Sequence, residues 1–396
     1  MITLADIEEA RARFEGNVTE TPLVWSQSFS RLTGRDVYLK AECMQRAGSF
    51  KIRGALNVLT RLGGKPVVAA SAGNHAQGVA LASAFTGSPC TIFMPETAPI
   101  PKVKATEDYG ADVRLVGISL ADAVEAAVEY SRQTGAHFVH PYDDPLIVAG
   151  QGTLGLEILE QLPETGTVVI PTGGGGLLAG TAVAMKTLRP SVKVVGVEIE
   201  PAAVYAESRR RGVLVRDFPR GLPTVADGIA VSVPSDLVWQ IAGKHVDHIL
   251  VVNDAQTTAA LAYVLDRSKI VVEAAGAVGV AALMEKMIPD DAPDPICIVL
   301  SGGNIDLMFL GKVVRHGLEA SGRFAEYTVQ VPDQPGNLAS VLQTIAGEGG
   351  NVLLVEHHRE GFGLRFGWVE IAISIETRDA DHAARISHAL EQYLAP

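Results

Sequence analysis

The sequence predicts an α/β fold with parallel sheets, followed by a separate small α+β unit. Short runs rich in Val and Ile alternate with segments of helical periodicity from about residue 65 to about residue 310, which is the pattern of βαβ units in a parallel sheet. The 40 glycines are clustered, as they are where the backbone itself binds a ligand. After about Leu310 the pattern changes to strands with one apolar face, which predicts a second unit.

The larger part of the chain contains strands and helices in alternation. The predicted strands are short and mostly apolar, and they span residues 66–71, 90–94, 112–116, 167–171, 192–199 and 296–300. The predicted helices have apolar residues at helical spacing. They comprise one that begins near Asn74 and others over residues 102–109, 120–133, 177–188, 255–266, 275–287 and 312–321. Gly322 then follows as a stop signal, so we expect a first domain over residues 1–321.

Residues 324–396 predict a second domain with its own core. Alternating apolar residues indicate strands over residues 326–331, 352–357 and 365–376. Helical spacing links Leu338, Val341, Leu342 and Ile345, and again Ala383, Ile386 and Leu390. The expected order of elements is βαββα.

Charge and composition exclude several classes of partner. The net charge of −12 argues against nucleic acid, because phosphate backbones repel an acidic protein. No apolar run approaches the roughly 18–20 residues that span a bilayer, and no signal peptide is evident. The cysteines Cys43, Cys90 and Cys297 form neither a CxxC pair nor a metal-ligand spacing. We therefore expect a cytoplasmic protein with a small-molecule partner and no membrane association.

The first motif, GSFKIRGA at residues 48–55, places a lysine between apolar residues and close to glycines. One interpretation is a surface lysine at the start of a helix. The other is a Schiff-base lysine in an apolar pocket, because desolvation lowers the pKa of the amine and leaves more of it neutral and nucleophilic. Lys51 is therefore a candidate nucleophile.

The second motif, SAGNH at residues 71–75, lies where a predicted strand ends and a helix begins. An N-cap by Ser71 or Asn74 explains part of it. The free N–H groups of a helix start also favour an anion, and ligands of open α/β sheets bind at such strand ends. The loop is therefore a candidate for binding a substrate carboxylate, while His75 is interpreted as a structural residue.

The third motif is a glycine run between a strand and a helix, formed by Gly173, Gly174, Gly175 and Gly176 and followed by Leu177. Successive N–H groups in such a run can hold a phosphate, and the Lys-Ser/Thr pair of an ATP-binding loop is missing. The spacing up to Ala179, with Glu198 ending the next strand, also fits the dinucleotide fingerprint. A nicotinamide-dependent oxidoreductase is thus the alternative, but it leaves residues 48–55 and 71–75 unexplained.

The fourth motif, SGGN at residues 301–304, follows an apolar strand. Alone it indicates a tight turn, but beside the other three motifs it brings the Ser301 hydroxyl to a shared site. The four segments, in this order, resemble the threonine/serine dehydratase family of pyridoxal-phosphate (PLP) enzymes over about residues 4–321. The resemblance implies a two-lobed fold similar to the tryptophan synthase β-subunit, with the smaller lobe over about residues 40–150 and PLP as the cofactor.

The resemblance also implies a role for each motif. Lys51 would bind PLP covalently and act as the catalytic base, with Phe50 beside the cofactor ring. Asn74 would bond the phenolic oxygen, and Ser301, the second catalytic residue, would face the pyridine nitrogen. The phosphate would be held by Gly173, Gly174, Gly175, Gly176 and Leu177. The substrate carboxylate would be held by Ser71, Ala72, Gly73 and Asn74.

The implied reaction is dehydration and deamination of a β-hydroxy amino acid. L-Threonine, giving 2-oxobutanoate and ammonia, is the expected substrate, and L-serine a secondary one. A serine or 3-hydroxyaspartate dehydratase stays an alternative, because one methyl in a pocket is worth only about 1–3 kcal/mol. An amino-acid sensor without activity is disfavoured, since every catalytic position is filled.

Ala72 separates this sequence from the serine racemases in the family. Those relatives read SSGNH, and their second serine acts on the opposite face of the carbanion. Ala72 has no proton to give, so we expect elimination to exceed racemisation. The racemases also place acids after a Glu-Pro pair to hold a divalent cation. Here Glu200-Pro201 is followed by alanines and Val204, and no metal site is predicted.

Residues 324–396 resemble an ACT domain, a βαββαβ module that often binds amino acids. Pro335, Gly336 and Asn337 lie at its usual ligand loop, so isoleucine or valine is the expected regulatory effector. The sequence ends after the second helix of the module, and we expect its last strand to be absent. An open sheet edge would then need cover from another subunit. A homodimer or homotetramer is expected on this ground.

Overall fold

The computed structural model describes residues 1–219, 221–360 and 364–393. It divides into two compact units, Met1–Ile305 and Asp306–Pro396. The division lies upstream of the boundary expected at residue 321. The reason is a helix over Leu307–Ala320: its Arg315 guanidinium lies over the ring of Phe324 and donates a hydrogen bond to Glu326. That helix therefore belongs with the second unit.

The first unit contains two sheets. The larger sheet consists of β1 (Leu23–Trp25), β2 (Val37–Lys40), β7 (Thr167–Pro171), β8 (Lys193–Ile199), β9 (His248–Val252) and β10 (Ile296–Val299). Its strand order is β1-β2-β10-β7-β8-β9, and only the β1–β2 pair is antiparallel. Strands β7 and β10 are buried along their whole length, as expected for a parallel sheet covered on both faces.

The smaller sheet lies within residues 40–150, where the smaller lobe was expected. It consists of β3 (Val67–Ala70), β4 (Cys90–Met94), β5 (Asp112–Leu115) and β6 (His137–Phe138). The strands are all parallel and follow the order β5-β4-β3-β6. The carboxyl end of β3 leads directly into residues 71–75, so this edge of the sheet carries the second motif.

Twelve α-helices of the first unit surround these sheets within the described residues. They are α1 (Leu4–Ala12), α2 (Gln27–Thr33), α3 (Lys51–Leu62), α4 (Asn74–Thr86), α5 (Ile100–Glu107), α6 (Leu120–Thr134), α7 (Pro145–Gln161), α8 (Gly176–Leu188), α9 (Val204–Arg211), α10 (Asp236–His245), α11 (Asp254–Tyr263) and α12 (Ala274–Met284). The helix predicted over residues 102–109 lies two residues earlier, because Pro101 is in its first turn, where proline is tolerated. No helix of the described chain is long and apolar enough to span a bilayer.

Helices α3 and α7 approach each other closely at two glycines. A Cβ on Gly54 would lie 2.9 Å from the carbonyl oxygen of Ile147, and one on Gly150 would lie 2.6 Å from that of Arg53. Side chains larger than hydrogen would push the helices apart. Gly54 of the first motif therefore has a packing role, and it fixes the helix that begins with Lys51.

The second unit has an α+β fold. It contains α13 (Leu307–Ala320), β11 (Phe324–Pro332), α14 (Asn337–Gly347), β12 (Asn351–His358), β13 (Trp368–Glu376) and α15 (Ala380–Leu390). The antiparallel strand order is β11-β13-β12. Apolar residues of β13, among them Ile371, Ile373 and Ile375, pack against Val341 and Ile386. The last predicted strand begins at Trp368 rather than residue 365, and α13 begins earlier than predicted because Asp306 caps it.

Candidate active site

Three of the four motifs meet where β3 and β10 end. The backbone N–H of Phe50 donates to the carbonyl of Ser301 at 3.2 Å, and that of Gly303 donates to Gly48 at 2.8 Å. From the other direction, the Asn304 amide donates to Asn74 Oδ1 at 2.8 Å. The first, second and fourth motifs are therefore joined by direct hydrogen bonds.

The glycine run reaches this site through the segment that follows β6. Lys51 Nζ donates to the carbonyl of Pro141 at 3.1 Å. A Cβ built on Gly174 would lie only 2.2 Å from the ring of the adjacent Tyr142. Pro141 thus contacts Lys51, and the next residue, Tyr142, contacts the third motif. All four motifs border one site.

Lys51 is the first residue of α3, and its amine is unusually easy to deprotonate. Desolvation lowers the pKa of Lys51 to about 8, while the carboxyl of Glu273 acts in the opposite direction. The amine lies 5.2 Å from the centroid of the Phe50 ring. A neutral fraction of the amine is therefore present near pH 7–8, as a nucleophile or base requires.

Glu273 is a site residue that the sequence did not predict. It lies directly before α12, and its Oε1 accepts a 2.6 Å hydrogen bond from Asn74 Nδ2. Burial raises the pKa of Glu273 to about 7, and the charge of Asp227 adds to the effect. The Asn304 bond to Asn74 Oδ1 completes a chain of three side chains. Asn74 is held with its Nδ2 side toward Glu273, and the flipped amide would lose both bonds.

The glycine loop presents unused hydrogen-bond donors. Residues Gly173 to Leu177 are buried, and Gly175, with φ +81°, turns the chain into α8. Within the described part of the chain, the N–H groups of these five residues donate to no protein acceptor. Buried N–H groups without partners are rare and costly. The loop therefore fits an anion that supplies the missing acceptors.

Ser301 and the 71–75 loop also present unsatisfied donors. Ser301 is 4% exposed, and its hydroxyl bonds to no described residue. At the start of α4, the N–H groups of Asn74, His75 and Ala76 have no acceptor in the described chain, whereas Gly73 N–H donates to Ser71 Oγ. His75 itself is buried and held by the carbonyl of Val139 at 2.9 Å. Desolvation lowers its pKa to about 3, which agrees with a structural, uncharged histidine.

Arg53 of the first motif does not face the site. It is buried and donates to the carboxylates of Glu42 and Glu157 at 2.7 and 2.8 Å. Lys40 also contacts Glu157, at 2.5 Å. Removing one partner of a buried ion pair is strongly destabilising, because the charge that remains is neither paired nor solvated by water. Arg53 therefore secures the start of α3 rather than binding a ligand.

Comparison with known proteins decides the family. The model of the family described as pyridoxal-phosphate dependent enzymes matches residues 14–302. The chain belongs to this family. An L-threonine ammonia-lyase of Thermotoga maritima is 45% identical over 394 residues, covering 98% of this chain and 97% of that protein.

Solved structures agree with this assignment. The PLP enzyme resembles maize serine racemase with a TM-score of 0.75 and 35% identity, covering 80% of this chain and 98% of that one. It also resembles the processed threonine deaminase isoform 2 of Solanum lycopersicum, with a TM-score of 0.73 and 36% identity, covering 78% and 91%. The predicted fold, the threonine/serine dehydratase resemblance and the PLP cofactor are confirmed.

The residues of this PLP enzyme fit its cofactor. A phosphate would satisfy the N–H groups of the glycine loop, Lys51 offers an amine with a lowered pKa, and Ser301 offers a free hydroxyl. These three groups lie around one site, so the fit does not depend on any single residue. The dinucleotide alternative is disfavoured because both carboxylate oxygens of Glu198 are already bonded to the backbone N–H groups of Tyr205 and Ala206.

Proposed function

We propose that this PLP enzyme is a threonine ammonia-lyase, which converts L-threonine to 2-oxobutanoate and ammonia and accepts L-serine as a secondary substrate. The observation that carries the proposal is Lys51. Its amine has a pKa lowered to about 8 and lies among three groups of unsatisfied donors. The names of the threonine ammonia-lyase and threonine deaminase relatives support threonine in particular.

Each motif then has one task toward the cofactor. Lys51 would hold PLP covalently, with Phe50 beside its ring. The N–H groups of Gly173 to Leu177 would hold the phosphate. Asn74 would donate its remaining Nδ2 hydrogen to the phenolic oxygen, since Glu273 takes the other one. Ser301 would face the pyridine nitrogen, where a hydroxyl, unlike a carboxylate, does not keep that nitrogen firmly protonated.

The protein's own residues perform the proton transfers. When bound, PLP withdraws electrons from Cα of the amino acid attached to it. The Lys51 amine, released by the incoming substrate, takes the proton from Cα. The carbonyl of Pro141, which accepts a hydrogen bond from Nζ, keeps the free amine within the site. That proton and the β-hydroxyl together leave as one water. The dehydrated product then takes up water and gives the 2-oxo acid and ammonia.

The start of α4 would bind the substrate carboxylate. The loop of Ser71, Ala72, Gly73 and Asn74 opens this 13-residue helix, whose N-terminal dipole favours an anion. The unpaired N–H groups of Asn74, His75 and Ala76 supply the donors. Ala72 offers only a methyl group, which supports elimination over racemisation despite the likeness to serine racemase.

The proposal is tested by measuring 2-oxo acid release from the purified chain with a panel of β-hydroxy amino acids. The panel contains L- and D-threonine, L- and D-serine and threo-3-hydroxyaspartate. We expect the highest kcat/KM with L-threonine. A preference for serine or hydroxyaspartate would be consistent with the PLP chemistry but would overturn the assignment of L-threonine as the substrate. A colourless protein that carries a nicotinamide dinucleotide would overturn the whole proposal.

We further propose that the second unit binds isoleucine or valine near Pro335, Gly336 and Asn337. Gly336, with φ +98°, turns the chain into α14, and Asn337 Nδ2 donates to Pro332 at 2.8 Å. In the described residues β11 and β12 are both sheet edges. An exposed edge favours pairing with another chain, which supports a homodimer or homotetramer. The buried free thiols of Cys43, Cys90 and Cys297 support a cytoplasmic location.

A further inference from the structure

Tyr205 lies beneath the glycine loop, and the proposed mechanism does not use it. The residue is 1% exposed. Its hydroxyl donates to the carbonyl of Gly174 at 3.1 Å and accepts from the backbone N–H of Ser235 at 3.0 Å. A backbone N–H can only donate, so the direction of both bonds is fixed. Burial raises the pKa of Tyr205, and the hydroxyl keeps the proton that it gives to Gly174.

This bond orients one peptide unit of the loop. The peptide group is planar and trans, so the carbonyl of Gly174 and the N–H of Gly175 point in opposite directions. Fixing the carbonyl on Tyr205 turns the Gly175 N–H away from the tyrosine. That N–H is one of the buried donors without a protein acceptor. Tyr205 therefore determines where this donor points.

Tyr142 also packs against the loop. A Cβ on Gly174 would collide with its ring at 2.2 Å, so the loop cannot move toward Tyr142. The Tyr142 hydroxyl donates to the carbonyl of Val233 at 2.9 Å, two residues before the Ser235 N–H that binds Tyr205. The same short segment thus holds both tyrosines.

Glu198 fixes the position of Tyr205 itself. It is the second-last residue of β8 and is fully buried, and its carboxyl accepts from Tyr205 N at 3.0 Å and from Ala206 N at 2.7 Å. These are N–H groups of the first turn of α9, which have no partner within the helix. Both carboxyl oxygens are used in this way. The buried acid therefore holds the start of α9, and with it the ring that supports the loop.

We propose that Tyr205, held in place by Glu198 and Ser235, is a positioning residue that orients the glycine loop for the phosphate of PLP. This deepens the proposed function and rests on it, because it assigns the phosphate to the loop of Gly173 to Leu177. Tyr205 touches the loop from behind and takes no part in proton transfer.

The test replaces only the hydroxyl, by Tyr205→Phe in the full chain. We expect the dissociation constant of PLP, from absorbance titration of the cofactor-free protein, to rise about tenfold, the effect of about one lost hydrogen bond. The ³¹P NMR signal of the bound phosphate should shift. The kcat at saturating PLP should stay within about twofold. The matched control is Tyr327→Phe, whose hydroxyl also donates to a backbone carbonyl, that of Ala383, but in the second unit.

Each outcome separates the inference from the proposed function. If Tyr205→Phe binds PLP as tightly as Tyr327→Phe with an unchanged ³¹P signal, the positioning role is wrong and the proposed function stands. If the unaltered chain binds no PLP at Lys51, the proposed function fails and the inference fails with it. Should Tyr205→Phe not fold, Glu198→Gln replaces it, since one of the two α9 N–H groups then loses its acceptor. Unchanged PLP affinity in that variant would also overturn the inference.

Discussion

The Asn74 amide donates a 2.6 Å hydrogen bond to the carboxyl of Glu273, 199 residues further along the chain. The bond links the start of α4 to the start of α12, and so joins the two lobes at the site. It also fixes which side of the Asn74 amide is the donor, because Asn304 donates to the other side. The orientation of the Asn74 amide therefore depends on an acid outside all four sequence motifs.

The first prediction concerns Glu273 and pH. Its pKa is raised to about 7 in the fold, above the usual value of about 4.3. An acid whose pKa is higher in the folded state than in the unfolded state stabilises the fold. This contribution is fully present below the pKa of the unfolded state, and it is lost as the pH rises through the pKa of the folded state. The lowered pKa of His75 acts in the opposite direction over part of this range, so the effect of Glu273 is a difference between two proteins. Between about pH 4.5 and pH 7, the Tm of the cofactor-free chain should fall more, or rise less, than that of Glu273→Gln.

The control for that experiment is Glu125→Gln, which removes an exposed carboxyl of α6 and should leave the slope unchanged. Some slope should persist in Glu273→Gln, because burial also raises the pKa of Glu198 to about 8. Equal slopes in all three proteins would mean that Glu273 ionises normally in the fold.

The second prediction concerns Lys51. Lys51→Ala should lower kcat at least about 10³-fold, because it removes both the proposed covalent link and the proposed base. Borohydride treatment of the unaltered holoenzyme, followed by peptide mass analysis, should find PLP on Lys51. The matched control is Lys65→Ala, an exposed lysine after α3. A Lys51→Ala protein that keeps activity, or a label on another lysine, would refute the assignment.

The third prediction concerns the space beside the glycine loop. Gly174→Ala would place a Cβ 2.2 Å from the ring of Tyr142, so the loop or the ring must move. We expect PLP affinity to fall by more than about tenfold, measured by absorbance titration. Gly243→Ala in α10 is the control, since nothing lies within 4 Å of its Cβ and alanine is the better helix former. Equal affinities would show that the loop tolerates a side chain.

The fold was largely predictable because parallel strands are apolar runs of four to seven residues. β4 and β7 have the predicted bounds. The two-residue strand β6 carries no such run, and β1 lies at a sheet edge with two of its three residues exposed. The 17-residue helix α7 was not predicted although Asp144 and Pro145 signal its start. The face of α7 that packs against α3 contains glycines instead of large apolar residues. The helical spacing of large apolar residues is therefore weak in this segment.

The candidate site was predictable only where it is local in sequence. The four motifs supply most of it because glycine, lysine and serine have distinct chemistry at strand ends. Glu273 looks like an ordinary acid before a helix, and its contact with Asn74 is visible only in the fold. In the sequence, Tyr142 and Tyr205 cannot be distinguished from aromatic residues of the core. Their bonds to Val233 and Gly174 depend on long-range packing that no spacing in the sequence encodes.

The fourth prediction concerns Ala72. Its methyl group cannot protonate a carbanion, so the unaltered enzyme should form pyruvate from L-serine with barely detectable D-serine. Ala72→Ser should raise D-serine formation, measured by chiral chromatography beside the pyruvate assay. The control Ala72→Val also changes the side chain but adds no proton donor. D-Serine formed as fast as pyruvate by the unaltered enzyme would refute the role given to Ala72.

The last prediction concerns the second unit. An effector changes activity only through different affinities for two states of the enzyme, typically worth about 1–3 kcal/mol, or about 5- to 150-fold. We expect isoleucine or valine to shift the L-threonine dependence of the full chain by an amount in this range. A chain that ends at Ile305, the boundary of the first unit, should not respond and should show a changed oligomeric state by light scattering. Asn337→Ala in the full chain removes the amide that donates to Pro332 and keeps the unit, so it should weaken the response without changing assembly. Identical responses of the full and shortened chains, with equal mass, would show that the second unit neither senses amino acids nor assembles the enzyme.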